Sequence, residues 1–170
     1  MAWTLLLAAG QGNRLASATG GLAKQFLDWK GAPLYWESAL VFSRCARVEG
    51  LVFVFPEACI DEERERVAGL MRNASLGIPW KVVAGGALRQ DSVRNGLSAL
   101  PDDCMEVLIH DAARPFVSPV LVNRILDGLH GEASGECVAA CIPGIPVVDT
   151  IKVMDEEKKD IFINGSLEEI

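Results

Sequence analysis

The chain has no long apolar run, no excess of basic charge and no paired-cysteine motif, and each absence removes a class of function. Nowhere in its 170 residues does an apolar stretch approach the roughly 18–20 residues that a membrane-spanning helix needs. The first apolar run, Trp3–Ala9, is short and lacks a basic leader, so no secretory signal peptide is expected. Lysine and arginine number 16 against 23 aspartates and glutamates, a formal net charge of −7. Nucleic acid and anionic membrane surfaces both call for a basic face, so neither is an expected partner. A small phosphate ligand stays open, because a few local cations suffice for it. The five cysteines, Cys45, Cys59, Cys104, Cys137 and Cys141, are odd in number and form no CxxC pair. Neither a disulfide framework nor a zinc knuckle is indicated, and ordinary thiols in a reducing, cytoplasmic compartment are expected. Internal repeats, low-complexity tracts and linkers are missing as well.

What is present is the material of one α/β unit. Half the residues are apolar, and the length allows a single domain with a substantial buried core. Trp3–Ala9, Leu51–Phe55, Trp80–Ala84, Val107–His110 and Cys137–Ile142 read as strands. Their nearly continuous hydrophobicity suits strands buried on both faces of a mostly parallel sheet. Helices are expected over Leu34–Cys45, Asp61–Asn73, Leu88–Leu100 and Pro119–His130. The last has Ser118 as N-cap, Pro119 at the first helical position and Gly131 just past the end. In the second, Glu62 and Arg66 stand at i,i+4, and Val67, Leu70, Met71 and Ala74 form the core stripe. Alternating strands and helices imply an α/β sandwich with right-handed crossovers. After Ile142, Pro143, Gly144 and Pro146 break the chain. Val147–Met154 and Ile161–Ile163 then flank the polar stretch 155–160 and read as a β-hairpin, expected to project as an arm onto another chain.

Three motifs, each at a strand end, carry the chemistry. Ala8-Ala9-Gly10-Gln11-Gly12-Asn13-Arg14, followed by Lys24-Gln25, places a glycine loop and two cations after the first strand. Such a loop lets backbone N–H groups approach phosphate oxygens, and the cations can neutralise charge that gathers when a triphosphate is attacked. Leu15 at the third glycine position weakens a dinucleotide-binding fingerprint, and Gln25 after Lys24 removes a Walker A assignment. Gly85-Gly86 follows the third strand; Gly86 allows close approach of a flat ligand, and the Ser92 hydroxyl can read a base edge. On its own this pair is equally a simple turn. His110-Asp111-Ala112-Ala113-Arg114-Pro115 puts an acid at the carboxyl edge of the sheet, where ligands of open α/β sheets bind. Asp111 is a candidate Mg²⁺ ligand, Arg114 offers a planar fork for phosphate, and His110 reads as a packed strand-end residue. Thr150 and Lys152 share a strand face; alone, that face is unremarkable.

In this order the motifs resemble the 2-C-methyl-D-erythritol 4-phosphate cytidylyltransferases of the non-mevalonate isoprenoid pathway. The matching elements are Ala8-Ala9-Gly10-x-Gly12-x-Arg14, Lys24-Gln25, Gly85-Gly86-x-x-Arg89-x-x-Ser92-Val93, Asp111-Ala112-Ala113-Arg114-Pro115 and Asp149-Thr150-Ile151-Lys152. The resemblance implies a Rossmann-like nucleotidyltransferase three-layer sandwich with a mostly parallel sheet and a protruding β-arm. Residues 1–142 would form the CTP-binding core and residues 143–170 a β-arm for homodimerisation, cut short before the family's C-terminal helix and strand. It implies CTP with Mg²⁺, and transfer of the cytidylyl group to methylerythritol phosphate with release of pyrophosphate. Arg14 and Lys24 would stabilise the transition state, while Ala8, Ala9, Gly10 and Gly12 line the triphosphate. Gly86 and Ser92 would select cytosine, and Ala112 would meet the ribose. Asp111, Arg114 and Thr150 would hold the acceptor, the last two across the dimer.

Departures from the family pattern carry expectations of their own. The stretch from Arg14 to Lys24 is long, with Gly20-Gly21 and Ala23 in place of a proline-bearing segment, so a floppier lid that orders on CTP is expected. Ala87 and Leu88 replace polar residues of the cytosine motif. The family's Thr-Pro-Gln segment and late lysine are not in this sequence, and Glu168 and Glu169 stand where the arm's arginine is usual. A truncated chain is therefore expected, with fusion to the cyclodiphosphate synthase of the same pathway as one form of the intact protein. The competing functions are a ribitol 5-phosphate cytidylyltransferase and a CTP-binding fragment without turnover.

Overall fold

Four of the apolar runs become the four parallel strands of one sheet. The computed structural model describes residues 1–10, 22–131, 135, 138–145, 152–154 and 161–163. In chain order the sheet is made by β1 (Ala2–Leu7), β4 (Val48–Phe55), β5 (Trp80–Ala84) and β6 (Glu106–Asp111). The spatial order is β5-β4-β1-β6, so the first strand lies inside the sheet. That position explains why β1 is apolar apart from Thr4: Ala2, Leu5 and Leu6 are fully buried, as is Thr4 itself. A short antiparallel ribbon, β2 (Asp28–Trp29) with β3 (Ala32–Pro33), leads from the Lys24 region into the first helix.

Helices cover both faces. α1 (Tyr35–Ser43), α2 (Ile60–Asn73) and α4 (Pro119–Leu129) supply Tyr35, Phe42, Val67, Met71, Val122 and Leu126 to the core on one face, against Leu6, Phe53, Phe55 and Leu108. α3 (Arg89–Leu97) lies on the other, above the cluster of Trp3, Leu5, Val52 and Val54. Gly96 permits that approach, since a Cβ there would stand 2.6 Å from Leu5 Cδ2. Three layers result, with a parallel sheet at the centre, as the strand–helix alternation implies.

Local chemistry sets the helix ends. The Ser118 hydroxyl accepts from the Leu121 N–H at 3.2 Å, with Pro119 at the first position. Gly131, beyond the helix, takes φ +72°. On α2 the Glu62–Arg66 pair forms at 2.8 Å, and Val67 and Met71 are buried with Leu70 and Ala74 packed beside them.

One expected strand is corrected. Among the described residues of Cys137–Ile142 none is in a strand. The segment leans on the end of α4 instead: the Val138 N–H donates to the Leu129 carbonyl at 3.2 Å, and Cys141 Sγ lies 2.8 Å from where a Gly128 Cβ would be. A strand needs a ladder partner for its backbone groups, and among the described residues no strand pairs with this segment; Val138 and Ile142 are exposed. The hairpin reading agrees with β7 (Lys152–Met154) and β8 (Ile161–Ile163), which pair antiparallel as a separate two-stranded sheet. The rest of the proposed hairpin, residues 147–151 and 155–160, lies outside the described residues.

Candidate active site

The parallel sheet brings the ends of β1, β5 and β6 to one edge, and backbone hydrogen bonds lock the three motifs together there. Leu7 stands opposite both Val54 and Asp111 in register, and Phe55 opposite Ala84. Just beyond, the Ala8 N–H donates to the Val54 carbonyl (2.8 Å), Ala112 N–H to Leu7 (3.0 Å) and Gly85 N–H to Phe55 (2.7 Å). Ala8 and Ala112 are buried, whereas Gly10 and Gly86 are exposed at the mouth. Glycine is required at position 85: a Cβ would lie 2.3 Å from the Ala9 Cβ and 2.8 Å from Ser92 Oγ. The first and second motifs are thus in van der Waals contact.

Ser92 is 5% exposed and its hydroxyl is already engaged, accepting from the Gly86 N–H at 3.1 Å and donating to the Leu88 carbonyl at 3.3 Å. Its place in the structure is therefore to shape the glycine-pair turn. The turn is tightened further by the Asp91 carboxylate, which accepts from the Leu88 N–H, and by the Asn95 amide, which donates to the Ala84 carbonyl at 3.0 Å.

Asp111 ends β6 between two arginines. Arg89, from the first turn of α3, reaches its Oδ1 at 2.9 Å, and Arg114 Nε stands 3.5 Å from its Oδ2. The Arg114 carbonyl accepts from His110 Nε2 at 3.0 Å, and Ser38 Oγ lies 3.1 Å from the same nitrogen. With the ring packed edge-on against Phe42, His110 holds the Asp111–Arg114 turn from behind. Burial keeps its imidazole below the usual histidine range, outweighing the Arg114 carbonyl and the Asp111 charge, so it is neutral at physiological pH.

Lys24 opens a short 3₁₀ turn, Lys24–Phe26, and is exposed. Its neighbour Gln25 is 4% exposed, and its Nε2 donates to the Ala8 and Gly10 carbonyls, each at 2.7 Å. Phe26 packs against Tyr35 and Phe55, with ring centroids 6.2 and 6.0 Å apart. The turn that carries the lysine is so fastened to the first motif across the gap in sequence. Gly12, Arg14 and Thr150 lie outside the described residues, as does the glycine pair at 20–21.

Among the predicted site residues, Ala8, Ala9, Gly10, Lys24, Gly86, Ser92, Asp111, Ala112 and Arg114 therefore gather along one sheet edge. Sequence reasoning gave no role to Arg89, Asn95 or Gln25. The signal for Arg89 was its place within the Gly85–Val93 motif, one helical turn from Ser92. No group of three or more His, Cys, Asp or Glu side chains suited to a metal ion occurs among the described residues.

The family model of 2-C-methyl-D-erythritol 4-phosphate cytidylyltransferase (IspD) matches residues 2–165. The chain belongs to this family. Among its relatives, the bifunctional enzyme IspD/IspF of Oleidesulfovibrio alaskensis is 52% identical over 154 residues, covering 91% of this chain and 37% of that protein. A 2-C-methyl-D-erythritol 4-phosphate cytidylyltransferase of Clostridium botulinum (strain Loch Maree) is 35% identical over 167 residues, covering 94% of this chain and 67% of that one. The crystal structure of the 4-diphosphocytidyl-2C-methyl-D-erythritol synthase of Anaerococcus prevotii superposes with a TM-score of 0.71 at 18% identity, over 98% of this chain and 64% of that one. At that identity the superposition establishes the fold alone. The chain spans little more than a third of the bifunctional relative's length.

Proposed function

We propose that the protein transfers the cytidylyl group of CTP to 2-C-methyl-D-erythritol 4-phosphate and releases pyrophosphate. The observation that carries this reading is the convergence of the Ala8–Gly10, Gly85–Gly86 and Asp111–Arg114 segments at one sheet edge in a chain of this family. An oxygen of the acceptor phosphate attacks the α-phosphorus of CTP. A new P–O bond forms to that phosphorus, and the bond to the bridging oxygen of the β-phosphate breaks. The nucleophile is already an anion, so no general base is called for. The chemical problem is charge gathering on the phosphoryl oxygens. Lys24, and Arg14 by its sequence position, meet that charge. The Gly85–Gly86 turn, held by Ser92, offers backbone groups to the cytosine, and Ala112 leaves room for the ribose. Asp111 and Arg114, with Thr150, receive the acceptor.

The described residues suit Mg²⁺ only as an ion held chiefly by triphosphate oxygens and water. The Asp111 carboxylate is shared by Arg89 and Arg114, and the described residues hold no cluster of three or more His, Cys, Asp or Glu side chains suited to a metal ion. Bound there, Mg²⁺ would supply charge neutralisation. Among the described residues Cys45, Cys59, Cys104 and Cys141 are free thiols, which supports a cytoplasmic site of action. The β7–β8 hairpin supports a homodimer built through the arm. The names of the 52% and 55% identical relatives support a natural protein fused to a cyclodiphosphate synthase, which the intact mass of the native protein would test.

The deciding experiment is pyrophosphate release from Mg²⁺–CTP with and without methylerythritol 4-phosphate, and with ribitol 5-phosphate as competitor acceptor. Release that requires methylerythritol phosphate is the expected result. Release with ribitol phosphate alone would reassign the acceptor, and CTP binding without release would make the chain a nucleotide-binding module.

A further inference from the structure

A buried carboxamide next to an exposed catalytic-type lysine is an unusual neighbour unless it does something for it. Gln25 spends both protons of one nitrogen on two carbonyls two residues apart, Ala8 and Gly10, at 2.7 Å each. Among neutral side chains only an amide nitrogen offers two such donors from one atom with no charge to bury. Peptide geometry makes the consequence definite. In a trans peptide the C=O and the following N–H point in opposite directions, and the described residues contain no cis bond. Turning the Ala8 carbonyl toward Gln25 therefore turns the Ala9 N–H away from it. The same side chain sits in the turn that carries Lys24. Phe26 N–H donates to Ala23 (2.9 Å) and Leu27 N–H to Lys24 (3.2 Å), while the Phe26 ring is fixed between Tyr35 and Phe55.

We propose that Gln25 is a positioning residue: its amide sets the orientation of the Ala8–Gly10 backbone and, through its own backbone, the distance from that loop to Lys24. This rests on the reading of the edge as a triphosphate site. A single rigid link then coordinates two groups that must meet the same phosphates, the backbone N–H donors and the lysine ammonium, although they lie on segments separated in sequence. The required chemistry is narrow. A methionine fills the space but donates nothing. A carboxylate would face two carbonyl oxygens with like partial charge, whereas a protonated carboxyl can restore one of the two bonds.

The test uses the full-length natural protein with Gln25→Met and Gln25→Glu. Melting midpoints establish that each variant is folded at the assay temperature, and kcat and KM for CTP are measured from about pH 8 to about pH 6, where a buried carboxyl facing acceptors takes up a proton. For Gln25→Met, kcat/KM should fall about 100-fold, the size of effect that misplacement by an ångström produces, with most of the loss in kcat and none of it pH-dependent. For Gln25→Glu the ratio of its kcat to that of the wild type should rise as pH falls. A merely structural role would lower the melting midpoint without moving that ratio. A folded Gln25→Met protein with wild-type kcat, or a flat Gln25→Glu ratio, overturns the proposal.

Calorimetry with Mg²⁺–tripolyphosphate, in the absence of any acceptor, separates this idea from the assigned reaction. If the wild type binds tripolyphosphate but shows no transfer to methylerythritol phosphate, the acceptor reading has failed. The positioning role is then decided by whether Gln25→Met weakens tripolyphosphate binding by about 10-fold, as loss of aligned N–H donors implies, or leaves it unchanged. A wild type that neither binds tripolyphosphate nor transfers to methylerythritol phosphate overturns both.

Discussion

At the scale of single residues, the site separates groups that meet ligand charge from groups that hold the backbone still. In the proposed reaction Lys24 is of the first kind. Substituting it by alanine should lower kcat by about 100-fold or more, as for loss of one transition-state donor, with a much smaller change in CTP affinity measured by calorimetry. An equal loss in affinity with kcat untouched would reassign the lysine to ground-state binding. Gly85 is of the second kind. A methyl group there meets Ala9 Cβ at 2.3 Å, and a Cβ has no rotamer by which it can swing away. Gly85→Ala should therefore displace the Ala8–Gly10 segment and weaken CTP binding while the core, which lies below the edge, keeps the chain folded. Unchanged affinity in a calorimetric titration would show that the two motifs need not touch. Ser92 was legible in the sequence as a polar residue of the motif, but its bonds were not. Only the fold shows that its hydroxyl is occupied by Gly86 and Leu88.

At the scale of elements, α1 and α2 are joined by a buried polar contact that also backs the Lys24 turn. Tyr35, fully buried, donates to Glu63 Oε2 at 2.7 Å, and Arg66 pairs with the other oxygen at 2.9 Å. Burial raises the Glu63 carboxyl above its ordinary 4.5, outweighing the Tyr35 hydrogen bond and the Arg66 charge, with Glu62 adding to the rise. A carboxyl whose folded value lies above its unfolded one binds its proton more tightly in the folded state. Its contribution is complete below the unfolded value and is lost as pH rises through the folded one. Glu63→Gln keeps an acceptor for Tyr35 and removes that titration. Its melting midpoint should thus gain on the wild type as pH rises from the acid side to neutrality, and parallel curves for the two proteins would show that Glu63 is not the titrating group. The i,i+4 pair and core stripe of α2 were readable from spacing, because both are local. The Tyr35–Glu63 bond, 28 positions apart, was not.

At the scale of the whole molecule, acidity and exposed apolar area act against one another. A net charge of −7 opposes non-specific association at neutral pH, and the sequence isoelectric point is about 4.8. Met105, Ile109 and Phe116 are exposed around β6, which lies at one margin of the four-stranded sheet, and Val120, Val138, Ile142 and Ile145 are exposed as well. Light scattering at low salt should therefore peak near pH 4.8, where repulsion vanishes. The pair Ile109→Thr and Phe116→Ser should raise the soluble concentration there. Scattering independent of pH, or unaffected by these substitutions, would show that this apolar area does not drive association.

The sequence by itself determined the elements whose signals are local. Trp80–Ala84 is a strand with the expected limits, and the helix after Ser118 begins where serine and proline place it, because capping and hydrophobic period act over a few residues. The three motifs were legible as a set, since each stands at a strand end, although the glycine pair alone reads equally as a simple turn. Tertiary structure decided what depends on distant partners. Cys137–Ile142 has the composition of a strand, yet its described residues join no ladder, since pairing needs a neighbour that composition cannot supply. Equally, β1 had to be placed inside the sheet, between β4 and β6, before Ala9 could meet Gly85 and Gln25 could reach Ala8 and Gly10. Those contacts link segments far apart in the chain, so only the closed fold aligns backbone donors, lysine and acid along one edge.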